Sequence, residues 1–303
     1  MVKRQELFVP AVITKAHTFD PGEFRKIELT LPHEFEVQGK TYPIHDRMRP
    51  GTAFLAKPMG VRTTRFRRRM YTRSNCSFTA ARALETIIND THHEKADTSP
   101  WWQTEEVEKL HQIGGTIDVR VDFDDATSEL VVYENSYQVE PTNLRLEVDA
   151  DWSAMRILAI AFSTGITPFL SHLRYMSAFN FGRATQQSGV QFILVVSVRH
   201  PRQLMDHQEL LDLAHRFPEN FRYHPVLTRE WPDSWNFGRG RIIRMEKTEG
   251  GEERVNLSPL LGLVTDISQF HVRMCGNASA RDQLVHGFHQ TGNAPVSFRA
   301  EVW

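Results

Sequence analysis

Four short stretches of this chain combine residue types suited to binding and redox chemistry: Arg69-Met70-Tyr71-Thr72, Ser163-Thr164-Gly165-Ile166-Thr167-Pro168-Phe169, Cys275-Gly276-Asn277 and Glu301-Val302-Trp303. In the first, an arginine can hold a pyrophosphate, a tyrosine can cover a flat ring and a hydroxyl can hydrogen-bond a ring nitrogen. If the stretch is a strand, Arg69 and Tyr71 share one face and Thr72 points to the other. A strand with a surface arginine and a half-buried tyrosine is the alternative. In the second, a buried strand ends, Gly165 permits a tight turn and Pro168 starts a helix. Free backbone N–H groups there suit a nucleotide pyrophosphate. An ordinary strand-to-helix turn reads the same way. Cys275-Gly276-Asn277 again follows a strand and precedes a helix, and ligands on open parallel sheets gather along that edge.

The elements that must position these residues change character near the middle of the chain. Up to about residue 150 the readable runs are short and extended: Phe8 to Ile13, Lys26 to Leu31, Thr52 to Ala56, Thr116 to Phe123 and Leu130 to Tyr133. Their β-branched and aromatic residues, with turn signals between, predict an antiparallel β-barrel. Residues 78–113 read as a helical excursion from it, with Ala80 to Ile88 helical, Asn89 to Pro100 a polar loop and Glu105 to Leu110 a second helix. Past Trp152 apolar strands alternate with helices. Ile157 to Phe162 leads to a helix after Pro168, and Phe192 to Val198 to a helix over Leu204 to Arg216. Tyr223 to Leu227 and Phe270 to Met274 follow, then a helix from about Ser279 to His289. That rhythm predicts an α/β doubly wound parallel sheet covered on both faces. Asp149-Ala150-Asp151 is the expected junction, giving domains of 1–150 and 151–303. Glu249 to Arg254 reads as a surface loop.

Bulk properties narrow the function classes. The chain has 303 residues, 40% hydrophobic and 24% charged, with net charge -1, so no global field points to nucleic acid or to a membrane. Its two cysteines, Cys76 and Cys275, cannot ligate an in-chain iron–sulfur cluster. His92-His93 is a weak metal pair, and no metal site is expected. No apolar run resembles a signal peptide or a membrane span, so a cytoplasmic protein is expected.

The motifs together resemble the ferredoxin–NADP(+) reductase family, and the resemblance extends over essentially the whole chain. That family has an antiparallel flavin-binding barrel followed by a parallel nucleotide-binding domain. Its Arg-x-Tyr-Ser strand matches Arg69 to Thr72, with Thr for Ser. Its Gly-Thr-Gly-Ile-Ala-Pro turn is similar to Ser163 to Pro168, with Ser for the first Gly and Thr for Ala. Its Cys-Gly-Asn/Pro turn matches Cys275, Gly276 and Asn277, and a Glu-Val-aromatic ending matches Glu301 to Trp303. The resemblance implies that Arg69 binds the flavin pyrophosphate, Tyr71 stacks on the isoalloxazine and Thr72 hydrogen-bonds near N5. It also implies that Trp303 covers the other face and yields to nicotinamide, which a terminal residue does at low cost. Cys275 and Glu301 border the reacting atoms, and Thr164, Gly165, Ile166, Thr167 and Pro168 cradle the dinucleotide. Catalysis is then mainly positioning.

Charge bears on the nucleotide. Thr228-Arg229-Glu230 and Arg241 are similar to segments of the family's NADPH-using bacterial members, and Arg199 is a third candidate; hydroxyl and guanidinium groups suit a 2′-phosphate. Solvated arginines at strand ends are the alternative. Asn75 stands where FAD-binding members usually carry a second Ser, which is a trait of FMN-using oxygenase reductases, and the usual Gly-x-x-Ser segment is missing. FAD is expected over FMN, with NADPH as cosubstrate. Arg62, Arg65, Arg67 and Arg68 form a basic patch suited to an acidic ferredoxin or flavodoxin, or to no partner at all. The competing acceptors are free flavin, a ferric chelate or an oxygenase component. A non-catalytic binding module is disfavoured by the joint presence of Thr72, Cys275, Glu301 and Trp303.

Overall fold

The structure is a computed structural model, and it describes residues 7–20, 24–58, 69–89, 112–134, 144–146, 155–185, 189–264 and 266–302. Two compact units divide the chain: Met1–Ser136 with Leu170–Tyr175, and Tyr137–Phe169 with Met176–Trp303.

In the first unit the strands are β1 (Leu7–Asp20), β2 (Phe24–Thr30), β3 (Glu34–Val37), β4 (Lys40–His45), β5 (Ala53–Pro58), β6 (Arg69–Thr72), β7 (Ala83–Asn89), β8 (Thr116–Asp124) and β9 (Glu129–Val132). They form one sheet of barrel type in the order β3-β4-β9-β8-β1-β2-β7, with β5 joining β8 to β6. Among the described residues every pairing is antiparallel except β4 with β9. Alternation builds the core: Val9, Ala11 and Ile13 of β1 are fully buried, Val9 and Ala11 opposite Val119 and Ile117 of β8 and Ile13 opposite Leu29 of β2, while Val12 is 41% exposed. The β3–β4 hairpin closes on Gln38 and Gly39, both at positive φ, as a two-residue turn between twisted strands requires.

The expected helix over Ala80 to Ile88 is a correction. Residues 83–89 are strand β7, paired with β2 from Thr30↔Ala83 to Phe24↔Asn89. Alanine and leucine favour a helix locally, but Thr86, Ile87 and Ile88 are β-branched and the whole edge of β2 is open to them, so cross-strand pairing overrides propensity. The expected loop and second helix of the excursion lie outside the described residues.

The rest of the chain forms β10 (Arg156–Phe162), α1 (Thr167–Ala178, whose residues Leu170–Tyr175 belong to the first unit), and, in the second unit, β11 (Gln191–Val198), α2 (His207–Arg216), β12 (Phe221–Leu227), β13 (Gly238–Arg239), β14 (Arg244–Lys247), β15 (Glu253–Asn256), α3 (Ser258–Leu261), β16 (His271–Gly276), α4 (Ala278–Thr291) and β17 (Ser297–Val302). The sheet order is β13-β12-β11-β10-β16-β17, parallel throughout. Leu158 to Ala161 of β10 are completely buried, the near-continuous apolar run of a strand covered on both faces. α2 begins three residues later than the periodicity suggests, because Asp206 takes a left-handed backbone after a short 3-10 turn. The expected surface loop over Glu249 to Arg254 is the exposed connection of the β14–β15 hairpin, with only Glu253 and Arg254 entering β15. β17, read only as a motif in the sequence, is the sixth strand of the parallel sheet.

Candidate functional site

Strand β6 carries Arg69 to Thr72 in the first unit. It pairs with β5 so that Tyr71 lies opposite Phe54, their ring centroids 5.9 Å apart, and Thr72 opposite Ala53. Tyr71 and Thr72 are half-buried, and the Thr72 carbonyl accepts a hydrogen bond from Thr86 Oγ1 at 2.7 Å. The side chain of Arg69 and the basic patch Arg62 to Arg68 lie outside the described residues.

The chain leaves β6 through a turn held by a group that motif reading passes over. Arg73 is 1% exposed and pairs with Asp46, equally buried, at 2.7 Å. Its Nε donates to Asn75 Oδ1 at 2.6 Å and its Nη2 to the carbonyls of Ala80 and Ala83 at 3.1 and 2.7 Å. Asn75 Oδ1 also accepts from the Glu85 N–H at 3.1 Å, and Asn75 Nδ2 donates to the Ala83 carbonyl at 2.8 Å. The side chain expected to face a flavin is thus engaged in the turn itself. Nothing local in the sequence announces this: Asp46 is far from Arg73 along the chain, and only the fold brings them together. Glu85 accepts from Ser74 Oγ and from Arg174 Nη1, each at 2.6 Å, and pairs with Lys26 at 3.3 Å. Burial alone would push its carboxyl up, but Arg174, Lys26 and the serine outweigh that and hold it below the usual range.

In the second unit the order of the strands reverses between β11 and β16 on either side of β10. A crevice of about 320 Å³ opens at the carboxyl ends of these strands. This is the switch point at which ligands bind on open α/β sheets. From β10 come Phe162 and Ser163, from the end of β11 Ser197 and Arg199, and beyond β12 Thr228 and Arg241. Asn277, Ser279 and Gln283, at the start of α4, also line it. Gly165 and Ile166 are buried in the turn that leads into α1, and Thr167 Oγ1 donates to the Thr164 carbonyl at 2.6 Å. Pro168 stands in the first turn of α1, and no side chain caps that helix.

Gly276 is where the two turns meet. A Cβ there would lie 2.9 Å from both Cβ and Cδ2 of Phe162 and 3.0 Å from Met274 Cε, so only glycine allows this approach. Asn277 caps α4, its Oδ1 accepting from the Ala280 N–H at 2.8 Å. Parallel pairing of β16 with β17 sets Cys275 opposite Glu301, and burial together with that carboxylate pushes the Cys275 thiol well up, keeping it neutral. Trp303 lies outside the described residues.

The structure also collects the cations proposed for a nucleotide. Thr228 N–H bonds the Val198 carbonyl at 2.9 Å and Gly240 N–H the Leu227 carbonyl at 2.8 Å, and Arg199, Thr228 and Arg241 all line the crevice. Arg229 is exposed, its N–H on the Arg199 carbonyl at 3.2 Å, and it does not line the crevice. Gln203, 1% exposed, accepts from the Arg199 N–H at 3.1 Å and also lines the crevice. It is one of several lining residues, with Ser197, Ser279 and Gln283, that carry no sequence signal of their own.

A barrel-type antiparallel sheet followed by a parallel sheet with a crevice at its switch point is the two-domain fold of the ferredoxin–NADP(+) reductase family, and the resemblance read from the motifs holds at that level. Within it, residues 160–282 match the family model described as the oxidoreductase NAD-binding domain. The Plasmodium falciparum ferredoxin–NADP+ reductase with 2′P-AMP aligns at 13% identity and TM-score 0.61, over 98% of this chain and 96% of that one. The Neisseria gonorrhoeae ferredoxin NADP+ reductase with bound FAD and NADP aligns at 16% identity and TM-score 0.60, over 97% and 98%. An Amycolatopsis cytochrome P450 reductase aligns at 16% identity and TM-score 0.62, over 100% of this chain and 71% of that one. No curated protein sequence matches the chain significantly.

Proposed function

We propose that this chain is a cytoplasmic, FAD-containing oxidoreductase that uses NADPH and passes electrons to a ferredoxin or flavodoxin. The flavin is assigned to the barrel domain, 1–150, and the nucleotide to 151–303. The observation that carries the reading is the crevice at the switch point, which Arg199, Thr228 and Arg241 line together with Ser163 and Asn277, one residue from each of the two turns. Two guanidinium groups and a hydroxyl suit the 2′-phosphate that distinguishes NADPH, and the glycine-bearing turns admit a pyrophosphate against backbone N–H groups.

Arg69, Tyr71 and Thr72 are the residues assigned to hold FAD. The half-buried Tyr71 ring, backed by Phe54, and the half-buried Thr72 fit a flat heterocycle. Asn75 acts one step back, fixing the turn that follows them. FAD, when bound, supplies the exchange between two-electron and one-electron chemistry. The chain's own part is to orient the partners, to keep Cys275 as a neutral thiol beside the Glu301 carboxylate, and to let Trp303 cover the site. The basic patch Arg62 to Arg68 is assigned to the acidic carrier.

The visible spectrum of the purified protein, recorded without oxygen and titrated with NADPH and then NADH, tests this. Bound FAD bleached by NADPH at much lower concentration than by NADH is expected. A colourless protein that binds neither flavin nor nucleotide ends the proposal. An oxygenase component is the second acceptor to assay, favoured by the likeness to a cytochrome P450 reductase; salt-insensitive turnover with ferredoxin and flavodoxin would select it over them.

A further inference from the structure

We infer that Ser163 is a nucleotide-binding residue: its hydroxyl donates to the pyrophosphate of the dinucleotide held in the crevice. The inference rests on the nucleotide reading above and goes beyond it, since the turn was assigned to bind through its backbone alone. Three observations carry it. Ser163 stands at φ +54, a left-handed backbone that a residue with a Cβ adopts against a steric penalty. Glycine would take this conformation without that penalty, and the turn this one resembles has glycine here. A serine therefore stands at a position whose backbone favours glycine.

Ser163 is half-buried and lines the crevice together with its neighbour Phe162 and with Asn277 and Gln283. Among the described residues its hydroxyl makes no hydrogen bond within the chain, whereas the neighbouring hydroxyl, Thr167 Oγ1, is bound to the Thr164 carbonyl. The strained residue thus brings an unused donor to the cavity that Arg199, Thr228 and Arg241 also line. A hydroxyl can supply one O–H to a phosphate oxygen, beside the N–H groups of the uncapped start of α1.

The pyrophosphate is common to NADP+ and NAD+, so the two should be affected alike. Calorimetric titration of the flavin-loaded protein with each nucleotide tests this on Ser163→Gly and Ser163→Ala. Both variants are expected to bind NADP+ and NAD+ about tenfold more weakly than the parent, a difference of about 1.4 kcal/mol, with the ratio between nucleotides unchanged. Ser163→Gly is expected to melt no lower than the parent, and up to about 2 °C higher, because it relieves the left-handed backbone. Parental affinity in either variant overturns the inference. So does a loss confined to NADP+, which would put the hydroxyl at the 2′-phosphate. A parent protein that binds neither nucleotide withdraws the functional reading itself, and this inference with it.

Discussion

Gly276 is the residue at which the crevice tolerates least change. Alanine there would set a methyl against the side chains of Phe162 and Met274, and Phe162 Cβ, next to its backbone, has little room to shift. Gly276→Ala is expected to destabilise the protein by about 1–3 kcal/mol and to weaken nucleotide binding, with denaturant melting and titration as the checks. Arg241 acts differently. It lines the crevice and is assigned to the 2′-phosphate, so Arg241→Ala should lower NADPH affinity about tenfold or more and leave NADH unchanged; equal losses for both would place it elsewhere. Arg73 is a third kind of residue. Arg73→Ala strands the buried Asp46 carboxylate and unfastens Asn75, and about 3–5 kcal/mol of stability should go with it, read from urea unfolding. The motif residues stand out in the sequence because each sits in a short pattern with a physical meaning. Arg73 was not, because its role depends on Asp46 and on carbonyls across a turn.

Elements behaved according to whether their partners are local. β10, β11, β12, β16 and α4 were readable because apolar runs ending in glycine-bearing or proline-bearing turns specify themselves. β7 was not: its residues favour a helix in isolation, and the open edge of β2 made them a strand. That strand carries Glu85, whose carboxyl is held below its unfolded value by Arg174, Lys26 and Ser74. A depressed carboxyl contributes stability that is complete above the unfolded pKa, about 4.3, and is lost as pH falls through the folded value. Glu85→Gln should therefore cost about 2 kcal/mol at pH 7, and the gap to the parent should close below about pH 4. A gap that stays constant down to pH 3 would deny the ion pairs a role.

On the scale of the whole molecule, both cysteines are buried, Cys76 at 1% and Cys275 at 2% exposure, and the Cys275 thiol is pushed up. A colorimetric thiol reagent at pH 8 should find almost no reactive cysteine in the native protein and two after denaturation. Rapid native labelling of one thiol would mean that the end of β16 opens in solution. By itself the sequence determined the class: strand periodicity in one half, strand–helix alternation in the other, and turn residues at the strand ends, all set by neighbours a few positions apart. What only the tertiary structure decided is which distant residues share a surface. The pairing of Cys275 with Glu301, the gathering of Arg199, Thr228 and Arg241, the exclusion of Arg229 from the crevice and the capture of Asn75 by Arg73 all follow from strand order and register. Parallel neighbours lie far apart along the chain, and no local pattern encodes which strands become neighbours.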